Sequence, residues 1–309
     1  MCIREKLVQL KNKNVFLYYL WTEYLRLKGK KHLKKYSDKE EIYRLYKARS
    51  GRFPSLDNPV LFSEKLQWLK LYYRNPLMPI AADKYRVREY VKQKGYEATL
   101  NNLLFTFESV KEINLEQLPQ KFVIKASHGS GWNLVVTKKD KINWFWWKKV
   151  FHSWLNNNIF WSGREWVYKD IKPRLIIEKF LQDESGYLTD YKFHCFNGKP
   201  IYIQANNGRG KKNHAQNFYD LNWNLQKFGK DLTPKPDVKI KKPEKLKEMI
   251  DMATDYAQDF PYVRVDFYEV NQKIIFGELT FFPASGMPDF KPKKYDKIWG
   301  DLLTLPKKN

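Results

Sequence analysis

The chain has 309 residues, 43% hydrophobic and 17% aromatic, which is enough apolar material for a sizeable core and excludes a disordered protein. Its 57 Lys and Arg residues outnumber the 34 Asp and Glu residues, and the formal charge of +23 favours anionic partners. The basic residues are spread along the whole chain without a zinc-finger, RNP1 or leucine-zipper pattern, so no specific nucleic acid is expected. An anionic small substrate, an acidic polysaccharide and an anionic membrane surface remain candidate partners.

Cysteine usage and hydropathy indicate where the protein resides. The two cysteines, Cys2 and Cys195, form no CxxC pair, so neither a disulfide framework nor a structural zinc site is expected. The longest apolar run near the N-terminus, residues 15–21, is far shorter than the ~20 residues that span a bilayer, and no signal-peptide cleavage site follows it. These features predict a cytoplasmic protein, with a peripheral position at the inner face of the membrane as an alternative.

The first 60 residues predict a basic, helical extension. Apolar residues recur there at spacings near three and four, at Leu7, Leu10, Phe16, Leu17, Leu20, Leu25 and Leu27. A basic cluster follows, formed by Lys28, Lys30, Lys31, Lys34 and Lys35. The simpler interpretation is a solvated face on a docking helix, and the alternative is an amphipathic basic segment resting on anionic lipid.

The rest of the chain predicts helices first and then mainly antiparallel strands. One helix begins near Ser63 and a second carries residues 85–91. Residues 121–125 and 133–137 predict strands around a tight turn at 128–131. Residues 144–168 predict helices whose many aromatic rings mostly fill the core, with stacking on nucleic acid as the alternative. A further strand is predicted over 174–180.

Two hairpins and one helix complete the pattern. Strands over 191–196 and 200–204 flank Asn197 and Gly198, a type I′ turn signal, and strands over 262–268 and 273–279 flank a second turn near Gln272. An amphipathic helix is predicted over 242–258. The whole is an α+β chain.

The last hairpin predicts a metal site. Alternation along a strand places side chains on shared faces, with Arg264, Asp266 and Tyr268 on the first strand and Phe276, Glu278 and Thr280 on the second. The turn near Gln272 brings Asp266 roughly opposite Glu278, and two carboxylates this close repel each other unless a cation lies between them. Such oxygen ligands suit Mg²⁺. The alternative is an edge hairpin with solvated charges.

Three further groups predict anion binding. Arg264 could hold a phosphate or an oxyanion, and Lys192, on an apolar strand beside Asp190 and His194, requires an anionic partner. The loop 206–214, with Arg209 and His214, either closes over a substrate or is a flexible basic loop.

A weaker signal for nucleotide binding precedes these groups. Lys125 ends an apolar strand before the glycine-rich turn 126–131, which can approach phosphate oxygens, although such turns also occur in ordinary hairpins. No Walker A pattern occurs, so the P-loop is excluded. The strand 174–181 could offer its backbone to an adenine edge or be a plain buried strand.

Taken in order, these segments resemble the ATP-grasp ligases, and more closely the TupA-like branch, which is linked to teichuronopeptide and other surface-polysaccharide synthesis. The resemblance covers residues 62–303. It is carried by an ordered set of short motifs at 63–65, 83–85, 122–131, 164–166, 172–174 with Glu178, 190–193, 263–267 and 277–283.

The resemblance implies an ATP-grasp fold, in which two α+β subdomains with mainly antiparallel sheets clasp ATP behind a helical N-terminal region. It divides the chain into a basic extension (1–60), a helical lead-in with the first ATP lysine (61–120), a small subdomain with the glycine-rich loop (121–178) and a large subdomain with the Mg²⁺-binding hairpin (179–309). It implies ATP contacts to phosphates, adenine and ribose from Lys84, Lys125, His128, Gly129, Ser130, Gly131, Glu178, Lys179, Phe180, Leu181, Asp183 and Glu184.

Roles in the reaction are implied in the same way. Asp266, Glu278 and Thr280 would hold Mg²⁺; Arg264 would stabilise the acyl phosphate, and Lys192 would lie beside the transferred phosphate. Ser285 and Gly286 lie where related ligases touch the acceptor, and Arg209 and His214 are the loop candidates for substrate contact. The broader class usually has Asn at the position of Thr280, and residues 1–60 do not match its usual N-terminal domain.

The function implied is an ATP-dependent carboxylate–amine ligase that acts through an acyl phosphate, with a uronic-acid-type carboxylate of a surface or capsular polysaccharide as its substrate. A glycosyltransferase of polysaccharide synthesis is an alternative, although no Asp-x-Asp triplet occurs. A small-molecule kinase is another, although no His-x-Asp loop occurs. A polyanion-binding protein without catalysis is supported only by the charge and the aromatic residues.

Overall fold

Helices precede a series of antiparallel strands along the chain. The computed structural model describes residues 14–183, 188–208 and 214–308. Its helices are α1 (Val15–Lys35), α2 (Asp38–Ser50), α3 (Phe62–Tyr72), α4 (Leu77–Ala82), α5 (Val87–Gln93), α6 (Trp144–Leu155), α7 (Phe160–Gly163), α8 (Leu246–Ala257) and α9 (Lys294–Leu302). Its strands are β1 (Leu103–Phe107), β2 (Phe122–Ala126), β3 (Asn133–Val136), β4 (Leu175–Lys179), β5 (Asp190–Phe196), β6 (Lys199–Asn207), β7 (Ala215–Tyr219), β8 (Gly229–Lys230), β9 (Tyr262–Val270), β10 (Lys273–Thr280) and β11 (Phe290–Lys291).

The strands form a four-stranded sheet in the order β1-β4-β2-β3, a five-stranded sheet in the order β10-β9-β5-β6-β7, and a pair β11-β8. Every pairing between these named strands is antiparallel. The predicted α+β class with mainly antiparallel sheets is therefore confirmed. Among the described residues, none of the helices combines the length and the apolar character needed to cross a bilayer.

The chain forms two compact units, and the first contains the four-stranded sheet. It comprises the described residues of 1–38, 79–88 and 101–181. Its core joins the sheet to α1 and α6, and the rings of Trp147, Phe151 and Trp154 are buried in it as the sequence predicted, whereas Phe145 on the same helix is exposed.

The second unit contains the five-stranded sheet and comprises the described residues of 39–78, 89–100 and 182–309. One face of the sheet is apolar because alternate side chains, such as Phe193 and Phe267, pack together and towards Tyr256 of α8. The opposite face carries Lys192, Arg264 and their acidic partners. The sheet therefore separates the apolar core on one face from the charged side chains on the other.

Both predicted hairpins are present with two-residue turns. Asn197 and Gly198 have φ values of 48° and 83°, and Asn271 and Gln272 have values of 49° and 60°. Left-handed backbone at both central residues is the feature of a type I′ turn, which fits the twist of the flanking strands.

The predicted face of one residue in the last hairpin was wrong. A bulge between Phe276 and Glu278 places Phe276 opposite Phe267, so Phe276 lies on the apolar face and does not share a face with Glu278. The same bulge sets Glu278 directly opposite Asp266. A Cβ atom on Gly277 would lie 2.9 Å from the carbonyl oxygen of Asp266, which explains why glycine occupies this position.

The motif at residues 63–65 supports the fold of the second unit. The Ser63 hydroxyl donates to Asp296 Oδ2 at 2.6 Å, and Glu64 accepts from the backbone amides of Ser55, Val60 and Leu61. Lys65 Nζ donates to the last carbonyls of α9 at 2.8 and 2.6 Å. Ser63 and Lys65 therefore fix α3 against α9, Glu64 holds the segment that leads into α3, and all three roles are structural.

Candidate active site

A buried ionic cluster lies on the polar face of the five-stranded sheet. Arg264 binds Asp266 through two parallel hydrogen bonds, Nε to Oδ1 and Nη2 to Oδ2, both 2.6 Å long. The same Nη2 lies 3.0 Å from Glu278 Oε1 and 3.0 Å from Thr280 Oγ1. Asp266 is 1% exposed, whereas the Glu278 side chain is 37% exposed. The cluster is therefore rigid at Asp266 and open to solvent at Glu278.

Lys192 completes the cluster from the neighbouring strand. It lies opposite Asp266 in the pairing of β5 with β9, and its Nζ donates to Asp266 Oδ2 and lies 3.2 Å from Asp190 Oδ2. The sequence predicted that this lysine requires an anionic partner, and the structure supplies two carboxylates. Burial of charged Lys192 and Asp266 costs solvation free energy, and the hydrogen bonds to opposite charges offset that cost.

Burial and neighbouring charges together shift the pKa values of Arg264 and Tyr268. Burial opposes the charged form of Arg264, yet Asp266 and Glu278 outweigh that effect and raise the pKa of the guanidinium above its ordinary range. The charge of Asp190, followed by burial, raises the pKa of Tyr268 well above its ordinary value. Tyr268 therefore remains a neutral phenol that can donate a proton in a hydrogen bond.

Asp266, Glu278 and Thr280 carry oxygen donors of the kind that Mg²⁺ takes. However, both Asp266 oxygens and Glu278 Oε1 already accept from Arg264 or Lys192, so the predicted magnesium site stays a prediction. The two carboxylates face each other across the hairpin, and the Thr280 hydroxyl donates to Glu278 Oε1 at 3.1 Å. No group of three or more His, Cys, Asp or Glu side chains that could hold a metal occurs in the described parts of the chain. Mg²⁺ commonly takes one or two carboxylates and completes its shell with water and substrate phosphates, so two carboxylates are sufficient.

The sequence did not reveal Lys230 as a member of this neighbourhood. Lys230 on β8 is 3% exposed, and its pKa is lowered to about 8, mainly by burial; Asp231 and Asp266 oppose this effect, while Arg264 and Lys192 add to it. It lies in a polar segment without strand alternation, and lysine in such a segment is normally solvated. Only the fold shows that it is buried near Arg264.

The predicted acceptor residues lie in an unusual backbone segment. Ala284 and Ser285 both have a φ of 53°, and Gly286 has a φ of 69°. Buried Lys70 donates from Nζ to the Ser285 carbonyl oxygen at 2.7 Å and to Oγ at 3.1 Å, and Gln67 donates to the Gly286 carbonyl at 2.7 Å. Backbone in this region is costly and persists where its surroundings fix it, which is typical of binding sites. Lys70 was not among the residues predicted for the site.

In the first unit, the predicted phosphate lysine contacts the predicted adenine hinge. Lys125 Nζ lies 2.6 Å from Glu178 Oε2, and Arg88 Nη1 lies 3.7 Å from Glu178 Oε1. The next hinge residue, Lys179, has an exposed side chain, and its carbonyl accepts from Asn101 Nδ2 at 2.9 Å. Lys125 and Glu178 thus form one polar group, although whether ATP binds there stays a prediction.

The predicted glycine-rich turn is joined to Lys84. Lys84 Nζ donates to the Gly129 carbonyl at 2.6 Å, and its backbone amide donates to the Ser127 carbonyl at 3.1 Å. A Cβ on Gly129 would lie 2.2 Å from the ring of Trp132, and Gly131 has a φ of 76°. Both glycines are therefore required by the shape of the turn, while Ser130 is exposed at its tip.

His128 differs from the rest of the turn because its side chain is fully buried. Its Nε2 lies 2.9 Å from the Trp154 carbonyl oxygen, and burial lowers the pKa of the imidazole to about 4. The ring therefore packs as part of the core of the first unit. Of the groups at this position, only the backbone remains a candidate for contact with phosphate.

Six further residues were predicted to contact ribose, adenine or substrate. Phe180, Leu181, Asp183 and His214 are half-buried. Glu184 and Arg209 lie outside the described residues, so their predicted contacts with ribose and substrate remain predictions.

Comparison with solved structures finds ligases of low sequence identity. The D-alanine–D-alanine ligase from Bacillus anthracis complexed with ATP is 14% identical, with a TM-score of 0.39 over 71% of this chain and 57% of that chain. The ATP-grasp ligase PsnB complexed with minimal precursor, Mg and ADP is 10% identical, with a TM-score of 0.41 over 78% and 64%. The D-alanine–D-alanine ligase from Helicobacter pylori is 16% identical, with a TM-score of 0.41 over 78% and 69%. The chain thus spans less than two thirds of the length of the first two.

Sequence comparison gives a firmer assignment. No curated protein matches the chain. The model of the TupA-like ATP-grasp family, by contrast, matches residues 64–304, which is most of the chain and includes the buried ionic cluster and the glycine-rich turn. The family expected from the motifs is confirmed, and the chain belongs to the TupA-like ATP-grasp family.

Proposed function

We propose that the chain is an ATP-dependent ligase that joins a carboxylate to an amine through an acyl phosphate. The observation that carries this proposal is the cluster of Arg264, Asp266, Glu278, Thr280 and Lys192 within the segment that matches an ATP-grasp family. It combines oxygen ligands for a divalent cation with two buried cations, which is the combination that transfer of a phosphoryl group to a carboxylate requires.

The first step forms the acyl phosphate. A carboxylate oxygen of the substrate attacks the γ-phosphorus of ATP, the bond to the β,γ-bridging oxygen breaks, and ADP leaves. Mg²⁺ held by Asp266 and Glu278 would supply charge neutralisation at the phosphates. Lys84, Lys125 and the backbone of the turn at Gly129 are the proposed phosphate contacts.

The second step forms the amide. The amine attacks the acyl carbon, phosphate leaves, and the nitrogen loses a proton. We propose that Arg264 stabilises the negative charge on the acyl phosphate and on the tetrahedral intermediate. Lys192 is the proposed partner of the transferred phosphate. Lys192 is buried and the Arg264 side chain is 12% exposed, and both are paired with Asp266, so they are held in place before substrate binds.

A uronic-acid-type carboxylate of a surface or capsular polysaccharide is the proposed substrate. The TupA-like resemblance to teichuronopeptide synthesis supports this choice, and the formal charge of +23 favours an acidic saccharide over a neutral one. Ser285 and Gly286, with Lys70 behind them, are the proposed acceptor contacts.

An assay of phosphate release tests the reaction class. Release of ADP and phosphate should require both a carboxylate and an amine, and mass spectrometry of products formed from candidate uronic acids should show the amide. Incorporation of sugar from a nucleotide sugar would instead support a glycosyltransferase. Stable phosphorylation of an acceptor without an amine would support a kinase.

Glu278→Gln tests the proposed metal ligand. Turnover of ATP should fall on the order of 100-fold or more, because a metal-dependent transfer loses several kcal/mol of charge stabilisation. The fold should persist since the Glu278 side chain is partly exposed. Glu248→Gln removes an exposed carboxylate of α8 and serves as the matched control with wild-type turnover. Full activity of the Glu278 variant would contradict the metal assignment.

Asp266 requires a different test because it is buried between Arg264 and Lys192. Loss of its charge leaves two buried cations with one partner fewer, and breaking such a pair costs ~3–5 kcal/mol of stability. Asp266→Asn should therefore lose activity and also unfold at a lower denaturant concentration, whereas Glu278→Gln should lose activity alone. Unfolding of both variants in urea distinguishes the two outcomes.

A further inference from the structure

Helix α1 is fixed to the first unit along one face. Tyr18, Thr22 and Gly29 are buried, and a Cβ on Gly29 would lie 3.0 Å from the Cβ of Trp161. Arg164, 1% exposed, donates from Nη2 to the carbonyls of His32 and Tyr36 at 3.1 and 3.2 Å. The helix therefore has a fixed rotation about its own axis, and the side chains on its opposite face are held outward.

That opposite face is apolar although it faces solvent. Its large side chains are 39–58% exposed and follow the helical repeat, within a stripe about 100° wide. We call this set the apolar face; its members are Phe16, Leu17, Leu20, Tyr24 and Leu27. Single exposed apolar residues are ordinary, but a contiguous group of this kind marks an interaction surface.

The apolar face extends onto α6. Phe16 packs against Trp146 with ring centroids 4.6 Å apart, and Trp146 in turn contacts Phe145 at 5.0 Å. Phe145 is 64% exposed, and Lys149 Nζ lies 5.0 Å from its ring centroid. The surface therefore combines exposed rings with a lysine whose ammonium group lies over a ring, an arrangement that suits an interface between water and lipid.

Charge follows the apolar face along the same helix. The second half of α1 carries exposed lysines, namely Lys28, Lys30, Lys31, Lys34 and Lys35. We call this set the lysine cluster. Glu23 is the one acidic residue in the α1 sequence, and it is paired with Arg26 at 2.6 Å. The lysine cluster therefore has no acidic side chain within its own helix to neutralise it.

We propose that the apolar face and the lysine cluster together bind an anionic lipid bilayer. The apolar side chains enter the boundary between headgroups and acyl chains, and the lysines contact the anionic headgroups. A soluble polyanion would use the lysines alone and gain nothing from exposed leucines. Nucleic acid would use aromatic platforms, whereas three of the five members of the apolar face are leucines. This inference is independent of the proposed ligase activity.

Vesicle co-sedimentation with the full chain tests the proposal. The protein should bind vesicles of phosphatidylcholine mixed with phosphatidylglycerol and should not bind phosphatidylcholine alone. Binding should weaken with added salt, because the headgroup contribution is electrostatic.

Two sets of variants separate the contribution of the apolar face from that of the lysine cluster. The leucine substitutions leave the net charge of the protein unchanged. Leu20→Asn with Leu27→Asn should reduce the partition coefficient at least about tenfold, because each leucine loses its transfer from water. The matched control, Val135→Asn with Leu225→Asn, removes two exposed apolar side chains elsewhere and should bind as the wild type does. Lys31→Gln with Lys34→Gln and Lys35→Gln should abolish the preference for the anionic lipid.

Three results would overturn the proposal. One is that the Leu20 and Leu27 double variant binds vesicles as strongly as the wild type does, which would mean that the lysine cluster alone attracts the anionic surface. Another is equal binding of the wild type to both kinds of vesicle. The third is a dimer in size-exclusion chromatography that the leucine substitutions dissociate, which would make a second copy of the chain the partner of the apolar face.

Discussion

At the scale of single residues, burial determines which charged and polar groups hold the structure and which remain available. Asp266 and Glu278 are both predicted metal ligands, yet Asp266 is enclosed by two cations while Glu278 reaches solvent. The sequence predicted the proximity of the two carboxylates from a turn centred near Gln272, but with the observed two-residue turn it is the bulge after Phe276 that sets them opposite each other. The sequence did not predict the difference between them, or the burial of Lys70 and Lys230, because burial depends on segments distant in the chain.

His128 makes stability depend on pH. Burial lowers its pKa to about 4 from the ordinary 6.5, so the unfolded chain binds more protons than the folded chain between these values. The contribution of His128 is therefore complete above about pH 6.5 and is lost as the pH falls towards 4, by at most about 1.4 kcal/mol per pH unit. Urea unfolding of the wild type between these values should show the free energy of unfolding decreasing with acid.

In the variant His128→Gln, the free energy of unfolding should depend less steeply on pH, because glutamine cannot take up the proton. Some slope should remain, since burial also lowers the pKa of His194. His152→Gln makes the same replacement at an exposed position on α6 and is the matched control. An unchanged slope in the His128 variant would show that this residue does not titrate with unfolding.

At the scale of elements, strand positions followed from the sequence more closely than strand register. The observed strands β9 and β10 extend the predicted ranges by one or two residues, because alternation and the turn define them. The bulge at Gly277 was missed, so Phe276 was assigned to the wrong face. Glycine inside a strand often marks a bulge, and this signal was available in the sequence.

Gly277→Ala tests how far the bulge positions the candidate site. The new Cβ would lie 2.9 Å from the Asp266 carbonyl oxygen and 3.2 Å from the Tyr268 ring, so the backbone of β9 or β10 must shift. We expect stability to fall by ~1–3 kcal/mol, as for other overpacked positions, and ATP turnover to fall with it. Gly51→Ala, with φ of 80° and no atom within 4 Å, is the control; it should lose ~1–2 kcal/mol from the left-handed backbone alone and keep its turnover. Equal turnover in both variants would show that the register at Gly277 does not position the site.

At the scale of the whole molecule, an ordered set of short motifs identified the family, although each motif alone is common. The motifs carry different kinds of information. Residues 63–65 cap helices and Arg164 holds the end of α1, whereas Asp266 and Glu278 are the predicted metal ligands. Sequence reasoning could recognise the set without distinguishing scaffold from site, because both kinds of residue recur at fixed spacing.

Binding of nucleotide should stabilise the whole chain. A ligand at a hundredfold excess over its dissociation constant adds about 2.7 kcal/mol when it binds only the folded state, which corresponds to a rise of several degrees in the melting temperature. ATP with Mg²⁺ should therefore raise the melting temperature in a thermal-shift measurement, and a chelator should reverse most of the rise, since the proposed site needs the cation to offset repulsion between the carboxylates and the phosphates.

Lys125→Met shows whether the first unit contributes to that stabilisation. Glu178 keeps Arg88 as a partner at 3.7 Å, so the variant should fold, but its rise in melting temperature with ATP and Mg²⁺ should be small. Lys121→Met, at an exposed lysine just before the same strand, is the matched control and should keep the full rise. If the melting temperature of the Lys125 variant rises as much as that of the wild type, Lys125 does not contact the phosphates. Nucleotide binding would then depend on the carboxylates and cations of the five-stranded sheet.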